Sequence, residues 1–323
     1  MTQNNIQELN ITMLGPSGVG KTSLLAAMYQ QVQAIGNLTQ LKPSKVTQVR
    51  LHDRLMELQQ MANQIESTGT TVRTTVAPQS FIFELQRPNN PPFLRLKFQD
   101  YPGGYLADAE YKGQVIQFLK NANTVIIAID AIALMESRGK WNERINKPGQ
   151  IVELFQEVYK DLNERRLVIL APVKCETYLR PGTDPGKLLA SVVDGYDELI
   201  NFFQTPELQD KVAVVVTPVQ TVGCVVLTEI QVVDGEPQQY RFHKTFPGAA
   251  CAPQDGDQPL MYLLRFLLKL YIDKQARGGF AWLVNLFAQN DQLGREVNAF
   301  ANNCKKDTPF AVLQGDNLLE AKL

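Results

Sequence analysis

Several absences narrow what this 323-residue chain can be. Its apolar residues make up 44% of the sequence, yet no uninterrupted apolar run reaches the ~20 residues of a membrane span. The opening segment, Met1 to Leu9, is polar and lacks the apolar stretch of a secretory leader. The four cysteines, Cys175, Cys224, Cys251 and Cys304, form no CxxC pair, which argues for free thiols in a reducing compartment over disulfides or zinc. A net charge of −1 gives no bulk attraction to nucleic acid or acidic membranes. Internal repeats and low-complexity tracts are also missing. The expectation is a cytoplasmic globular protein with no transmembrane segment and no nucleic-acid partner.

Near the N-terminus stands a run that fills every position of the P-loop pattern GxxxxGK[ST]: Gly15, Pro16, Ser17, Gly18, Val19, Gly20, Lys21 and Thr22. It follows a β-like segment, 11–14, and precedes a helix-like one beginning at Ser23, the context the motif requires. Glycines let the chain turn tightly, so that successive N–H groups converge on a phosphate chain. The Lys21 ammonium would reach the terminal phosphates and the Thr22 hydroxyl would bind Mg²⁺. The helix that follows would present its positive end to the same anion. The run predicts a site for a nucleoside phosphate.

Downstream the pattern alternates. Helical spacing marks 23–32 and 47–65, then a polar stretch runs through 67–75. Two β-like runs, 80–86 and 93–99, flank the turn Arg87-Pro88-Asn89-Asn90-Pro91-Pro92. Apolar, β-branched runs at 124–131, 167–173 and 212–219 read as strands buried on both faces. Helix-like segments at 108–120, 150–164 and 188–203 separate them, so the fold class is α/β, with a mainly parallel sheet and helices on both faces. Residues 222–247 read as an inserted β-hairpin turning at Asp234-Gly235. A long amphipathic helix, 259–275, closes a domain of 1–276, and 277–323 is expected to be a helical extension. Its cluster Phe280, Trp282, Leu283, Leu286 and Phe287 is expected to pack back on the domain, docking on a partner or a membrane surface being the alternative.

Three further places carry chemistry. The strand ending at Gln99 runs into Asp100-Tyr101-Pro102-Gly103, which matches DxxG, a GTPase motif. There the aspartate holds the Mg²⁺ hydration shell and the glycine N–H senses the γ-phosphate. The segment Val173-Lys174-Cys175-Glu176 stands where GTPases carry [NT]KxD. Lys174 would pack its stem on the purine, and Glu176 would accept from guanine N1 and N2. A surface Lys/Glu pair is the competing reading. Val219 occupies the place of a later loop whose backbone touches the base. A switch threonine is required before the hairpin; Thr75 is preferred, with Thr74 next and Thr70 and Thr71 competing. Arg73 is either an internal arginine finger or a solvated loop residue. The glutamine that many small GTPases place directly after DxxG is absent, Gly104 standing in its position, so slow intrinsic turnover is expected.

On GPSGVGKTSLLAAMY (Gly15 to Tyr29), DYPGG (Asp100 to Gly104), the Lys174/Glu176 loop and the helical insertion before switch I at about 37–68, the chain resembles the TRAFAC class of P-loop GTPases, and within it the bacterial double-GTPase family. The resemblance covers roughly 8–275. It implies a Ras-like P-loop NTPase fold with one antiparallel hairpin strand, and GTP or GDP with Mg²⁺ as ligands. Ser23 joins the nucleotide-binding run on the same grounds. It also implies protein partners, a second GTPase or an effector, in predicted bacterial conflict or defence systems. An ATP-dependent switch on the same frame and a scaffold that binds without hydrolysing are the alternatives.

Overall fold

The computed structural model describes residues 6–32, 34–35, 39–63, 67–68, 77–106, 109–273 and 291–320. The strands in chain order are β1 (Gln7–Leu14), β2 (Ala34–Ile35), β3 (Thr39–Pro43), β4 (Ser67–Thr68), β5 (Gln79–Gln86), β6 (Leu94–Asp100), β7 (Thr124–Asp130), β8 (Arg166–Val173), β9 (Val212–Val216), β10 (Val225–Val233), β11 (Glu236–Lys244) and β12 (Ala311–Gln314). The helices are α1 (Lys21–Gln31), α2 (Lys45–Asn63), α3 (Ala109–Asn121), α4 (Ala131–Met135), α5 (Asn142–Ile145), α6 (Pro148–Tyr159), α7 (Glu176–Leu179), α8 (Pro185–Gly195), α9 (Asp197–Phe203) and α10 (Gln258–Ile272), followed by a helix at Asp291–Ala301.

Among the described residues the main sheet runs β12-β9-β8-β7-β1-β6-β5-β3-β2. Its centre, β6-β1-β7-β8-β9, is parallel, and the strands outside it pair antiparallel. At its centre β7, β8 and β9 are buried on both faces, as their continuous apolar runs require, whereas β6 alternates buried and partly exposed residues. In β8 the alternation is explicit. Leu167, Ile169, Ala171 and Val173 join the core shared with α1 and α10. Val168 and Leu170 join the core shared with α3, α6 and α9. Helices therefore cover both faces. The C-terminal ends of the parallel strands form one edge, where open α/β sheets bind ligands.

β5 is the expected antiparallel hairpin strand, and the sheet continues past it through β3 and β2. The insertion before switch I thus contributes strand β3 to the sheet as well as helix α2. The later hairpin, β10-β11, forms a second sheet with β4. Its turn is the expected one: Asp234 and Gly235 have φ of 52° and 79°, the positive values a tight two-residue turn needs. The expected helix over 188–203 is two helices, α8 and α9, with a break at Tyr196 (φ −129°, ψ 22°). The strand expected to reach Val219 stops at Val216, just before Pro218 removes a donor.

The C-terminal segment differs most from expectation. It contains the helix Asp291–Ala301 but also a strand, β12, which pairs antiparallel with β9 at Ala311↔Val216 and Val312↔Val215, and then a short helical turn at Asp316–Leu318. A short edge strand with no alternating pattern leaves little trace in sequence, which is why a helical extension was expected. Gln314 Nε2 donates to the carbonyls of Phe203 (2.8 Å) and Val212 (2.9 Å). Tyr262 on α10 donates its hydroxyl to Lys305 O (2.7 Å). Leu293, Val297, Leu318 and Leu319 enter the α10 core. The aromatic cluster at 280–287 lies outside the described residues.

A chain cut after residue 276 should lose these contacts and melt at least 10 °C lower, by roughly the scale that a few kcal/mol represents in a domain of this size. An unchanged melting temperature would make the tail dispensable. Gln314→Ala alone should cost about 1–2 kcal/mol in urea unfolding, since it leaves carbonyls without their donor.

Candidate functional site

The P-loop begins where β1 ends. Gly15, Gly18 and Gly20 have φ of 140°, 78° and 117°, values that side-chain-bearing residues rarely adopt. Space is short as well: a Cβ on Gly15 would lie 2.9 Å from Ala128 O, and one on Gly20 3.2 Å from Val173 Cγ2. Val19 and Ser23 are buried, whereas Ser17 and Gly18 are exposed at the mouth of the loop. Gly20 then caps α1, whose first residues are Lys21 and Thr22.

Lys21 is 5% exposed, and its ammonium donates to Gly15 O (2.8 Å) and Pro16 O (3.2 Å). It lies 3.9 Å from Asp100 Oδ1 and over the ring of Tyr101, 5.7 Å from the centroid. Burial lowers its pKa, and the Asp100 carboxylate offsets part of that effect. Thr22 Oγ1 donates to Asp100 Oδ2 at 2.7 Å. The expected pair is therefore together. A hydroxyl and a carboxylate oxygen side by side are hard donors of the kind Mg²⁺ takes.

Gly103 is held against the P-loop. A Cβ there would fall 1.8 Å from Ser17 N and 2.0 Å from Pro16 C, so only glycine fits. Gly104 is exposed with nothing near its missing side chain. Beyond it, Glu110 and Gln114 sit exposed in the first turns of α3. Thr75, Arg73 and the competing Thr70, Thr71 and Thr74 lie outside the described residues.

At the other end of the loop stands Lys174, in the left-handed region at φ 56°. Its ammonium donates to Gly18 O (2.9 Å) and to Asp130 Oδ2 (2.6 Å). This ties the β8 loop to both the P-loop and the end of β7. Asp130 was not singled out by its sequence. Its Oδ1 caps α4 by accepting from Ile132 N and Ala133 N, and Asn146, fully buried, bonds its backbone N–H and C=O. An acid closing a buried strand just before a short helix is the N-cap signal that could have found it.

Two residues expected at the base, Glu176 and Val219, have other partners in this geometry. Glu176 is 6% exposed, and its Oε1 accepts from Val222 N (2.9 Å) and Gly223 N (3.4 Å). The longer acid reaches across and pins the root of the hairpin, so that oxygen is not available to a base. Burial raises its pKa, opposed chiefly by the Val222 N–H. Val219 is fully buried, and its N–H donates to Pro172 O (2.8 Å), so it has no donor left for a nucleotide. Cys175, between Lys174 and Glu176, is a buried thiol whose pKa burial raises, which makes it unreactive.

The family model described as Double-GTPase 2 matches residues 10–205, which take in the P-loop, Asp100, Gly103 and the Lys174 loop. The chain belongs to the Double-GTPase 2 family. The β10-β11 hairpin, α10 and the C-terminal strand of this Double-GTPase 2 chain lie beyond the matched residues. Among solved structures, the GTPase-like domain of S. cerevisiae Ski7 bound to GTP is similar at 13% identity, over 66% of this chain and 43% of that one, with a TM-score of 0.38. The same domain bound to GDP and inorganic phosphate gives 14%, 66%, 43% and 0.35. Sup35 complexed with GDP gives 12%, 68%, 39% and 0.30. The chain thus spans about two-fifths of the length of each of these structures. No curated protein matches it. Among the described residues, no helix of this Double-GTPase 2 chain is long and apolar enough to cross a membrane.

Gly103→Ala should lower stability by about 1–3 kcal/mol, because the methyl must displace P-loop backbone. It should also weaken nucleotide binding at least tenfold, whereas Gly104→Ala should do neither. Thermal melting and nucleotide titration of the two variants check this.

Proposed function

We propose that this chain is a guanine-nucleotide-dependent switch that hydrolyses GTP to GDP slowly on its own. The observation that carries the reading is the convergence of Lys21, Thr22, Asp100 and Gly103 on one rim of the sheet, within a domain of the Double-GTPase 2 family. The P-loop N–H groups and the N-terminus of α1 receive the phosphates. Lys21 leaves its carbonyl partners for the terminal phosphates. Thr22 would hold Mg²⁺ directly, with Asp100 and a switch threonine (Thr75 preferred) completing its surroundings, and the ion would neutralise charge between the β- and γ-phosphates. The close approach of Gly103 to Ser17 supports the reading that its segment moves when a γ-phosphate arrives.

Water attacks the γ-phosphorus, the bond to the β–γ bridging oxygen breaks, and GDP and phosphate leave. Gly104 supplies no side chain to orient that water, so the intrinsic rate is low and a protein partner accelerates it. The Arg73 finger belongs to this reading. So does a cytoplasmic setting, with a second GTPase or an effector of a bacterial conflict system as the partner. A second reading, a scaffold that binds nucleotide without turnover, is favoured by the same Gly104.

The test is Mg²⁺-dependent binding of GTP, GDP, ATP and ADP, followed by single-turnover hydrolysis. Guanine nucleotides should bind at least tenfold tighter than adenine nucleotides, Lys21→Ala should abolish binding, and hydrolysis should run at about 10⁻³ s⁻¹ or less, the range of GTPases that wait for a partner. Adenine preference would overturn the guanine reading, and fast turnover would overturn the need for a partner. Glu176→Gln keeps an acceptor for Val222 and Gly223 while removing the charge. If Glu176 acts only on the hairpin root, the variant should retain the guanine preference. The sign of its pH effect follows from the raised pKa: the buried acid favours folding more at low pH, and that contribution is lost as pH rises through its folded pKa. The variant should therefore show a flatter stability profile above the ordinary carboxyl range.

A further inference from the structure

The inserted hairpin meets the ammonium of Lys174 with an aromatic ring. Tyr240, on β11 opposite Ile230, places its ring 5.2 Å from the Lys174 ammonium. That ammonium already donates to Gly18 O and Asp130 Oδ2. The aromatic face covers it from a further side, an attraction between a cation and a ring quadrupole. Lys174 keeps a quarter of its side chain exposed, while Asp130 is almost wholly buried. The lysine's head is thus fixed at three points, and its side chain keeps partial exposure beside the P-loop.

We propose that Tyr240 is a positioning residue of the nucleotide site, acting through Lys174: its ring holds the ammonium so that the lysine stem lies as an apolar shelf for the purine base. The inference rests on the nucleotide-binding reading above and assigns the hairpin a part in it. The root of the same hairpin is held by Glu176, two residues beyond Lys174. Glu176 and Lys174 of this loop therefore both engage the insertion, one through hydrogen bonds from the Val222 and Gly223 N–H groups and one through the aromatic face. Tyr240 has an ordinary packing role as well, against the cluster of Val222, Val225 and Phe242. Packing alone would be met by any apolar side chain of similar bulk; holding the cation requires a ring.

The experiment separates these roles with the full chain and two variants, Tyr240→Leu and Tyr240→Phe. Affinities for GDP, ADP and inorganic tripolyphosphate are measured in Mg²⁺ by calorimetry. Tripolyphosphate probes the P-loop without a base. Tyr240→Leu should weaken the preferred nucleoside diphosphate about 3–30-fold, the range expected for losing a partly desolvated cation–ring contact, and leave tripolyphosphate within twofold. Tyr240→Phe should keep the wild-type ratio of the two.

Equal loss of both probes in Tyr240→Leu, or loss of neither, would overturn the proposal. Loss of the ratio in Tyr240→Phe would also overturn it, because the hydroxyl and not the ring would then be responsible. If Tyr240→Leu fails to fold, the Phe variant together with Lys174→Met in place of the cation decides: Lys174→Met must reproduce the selective loss. If the wild type prefers ADP, the guanine reading falls while Tyr240 is judged on ADP against tripolyphosphate. If no nucleoside diphosphate binds tighter than tripolyphosphate, the chain has no base site and the inference falls with it.

Discussion

The site depends on the register of β1 between β6 and β7. Met13 lies opposite Asp100 and Leu14 opposite Ile127, so the P-loop leaves β1 directly beside the end of β6. That register is enforced along the strand. Leu96 and Phe98 of β6 pack in the same core as Leu9, Ile11 and Met13. Between them, Arg95 pairs with Glu84 (2.7 Å) and Lys97 with Glu8 (3.2 Å) on the partly exposed face. A slip of one residue would drive Arg95 and Lys97 into the apolar core and carry Asp100 away from Thr22. The 2.7 Å Thr22–Asp100 hydrogen bond is thus secured by hydrophobic alternation several residues away.

From that register the loop is confined by backbone packing. Ala128 O closes under Gly15, Val173 lies against Gly20, and Gly103 presses on Ser17. The approaches at Gly15 and Gly103 exclude a Cβ and that at Gly20 leaves it tight, and each comes from a different strand end: β7, β8 and the segment after β6. Electrostatics then ties the base side to the same frame, since Lys174 joins Gly18 to Asp130 across the register pair Asp130↔Val173. The pair is partly exposed on the lysine side, so its energetic weight is modest; its geometric effect is to fix where the β8 loop points.

Much of this was legible in sequence because it depends on residues that only one backbone tolerates. The P-loop glycines, Lys21 and Thr22 announce a particular turn, and the apolar runs of β7, β8 and β9 announce a buried parallel sheet. Asp100 and Gly103 could be paired with them by order along the chain. What stayed hidden was contact between distant segments. Nothing local to Asp130 marks a partner 44 residues on. The extra methylene of Glu176 read as a weakened base reader, when its length lets it span to Val222. Val219 matched by position, yet its N–H is spent inside the sheet extension on Pro172 O. β12 is short, sits at an edge and follows a helix, so periodicity had little to register.

The hairpin gives two parts of the site a common support. Tyr240 and Phe242 share the inward face of β11, and the backbone at Arg241 and Phe242 pairs with Thr68 and Ser67 of β4. Lys244, at the end of β11, donates to Asn63 Oδ1 at the end of α2 (3.0 Å). Strand β4 precedes the stretch that carries the candidate switch threonines, and the Tyr240 ring lies under the Lys174 ammonium. A strand held by a ladder moves as a unit, because shifting one residue breaks the bonds of its neighbours. The Lys174 loop and β4 are consequently braced by one element, inserted after the last parallel strand.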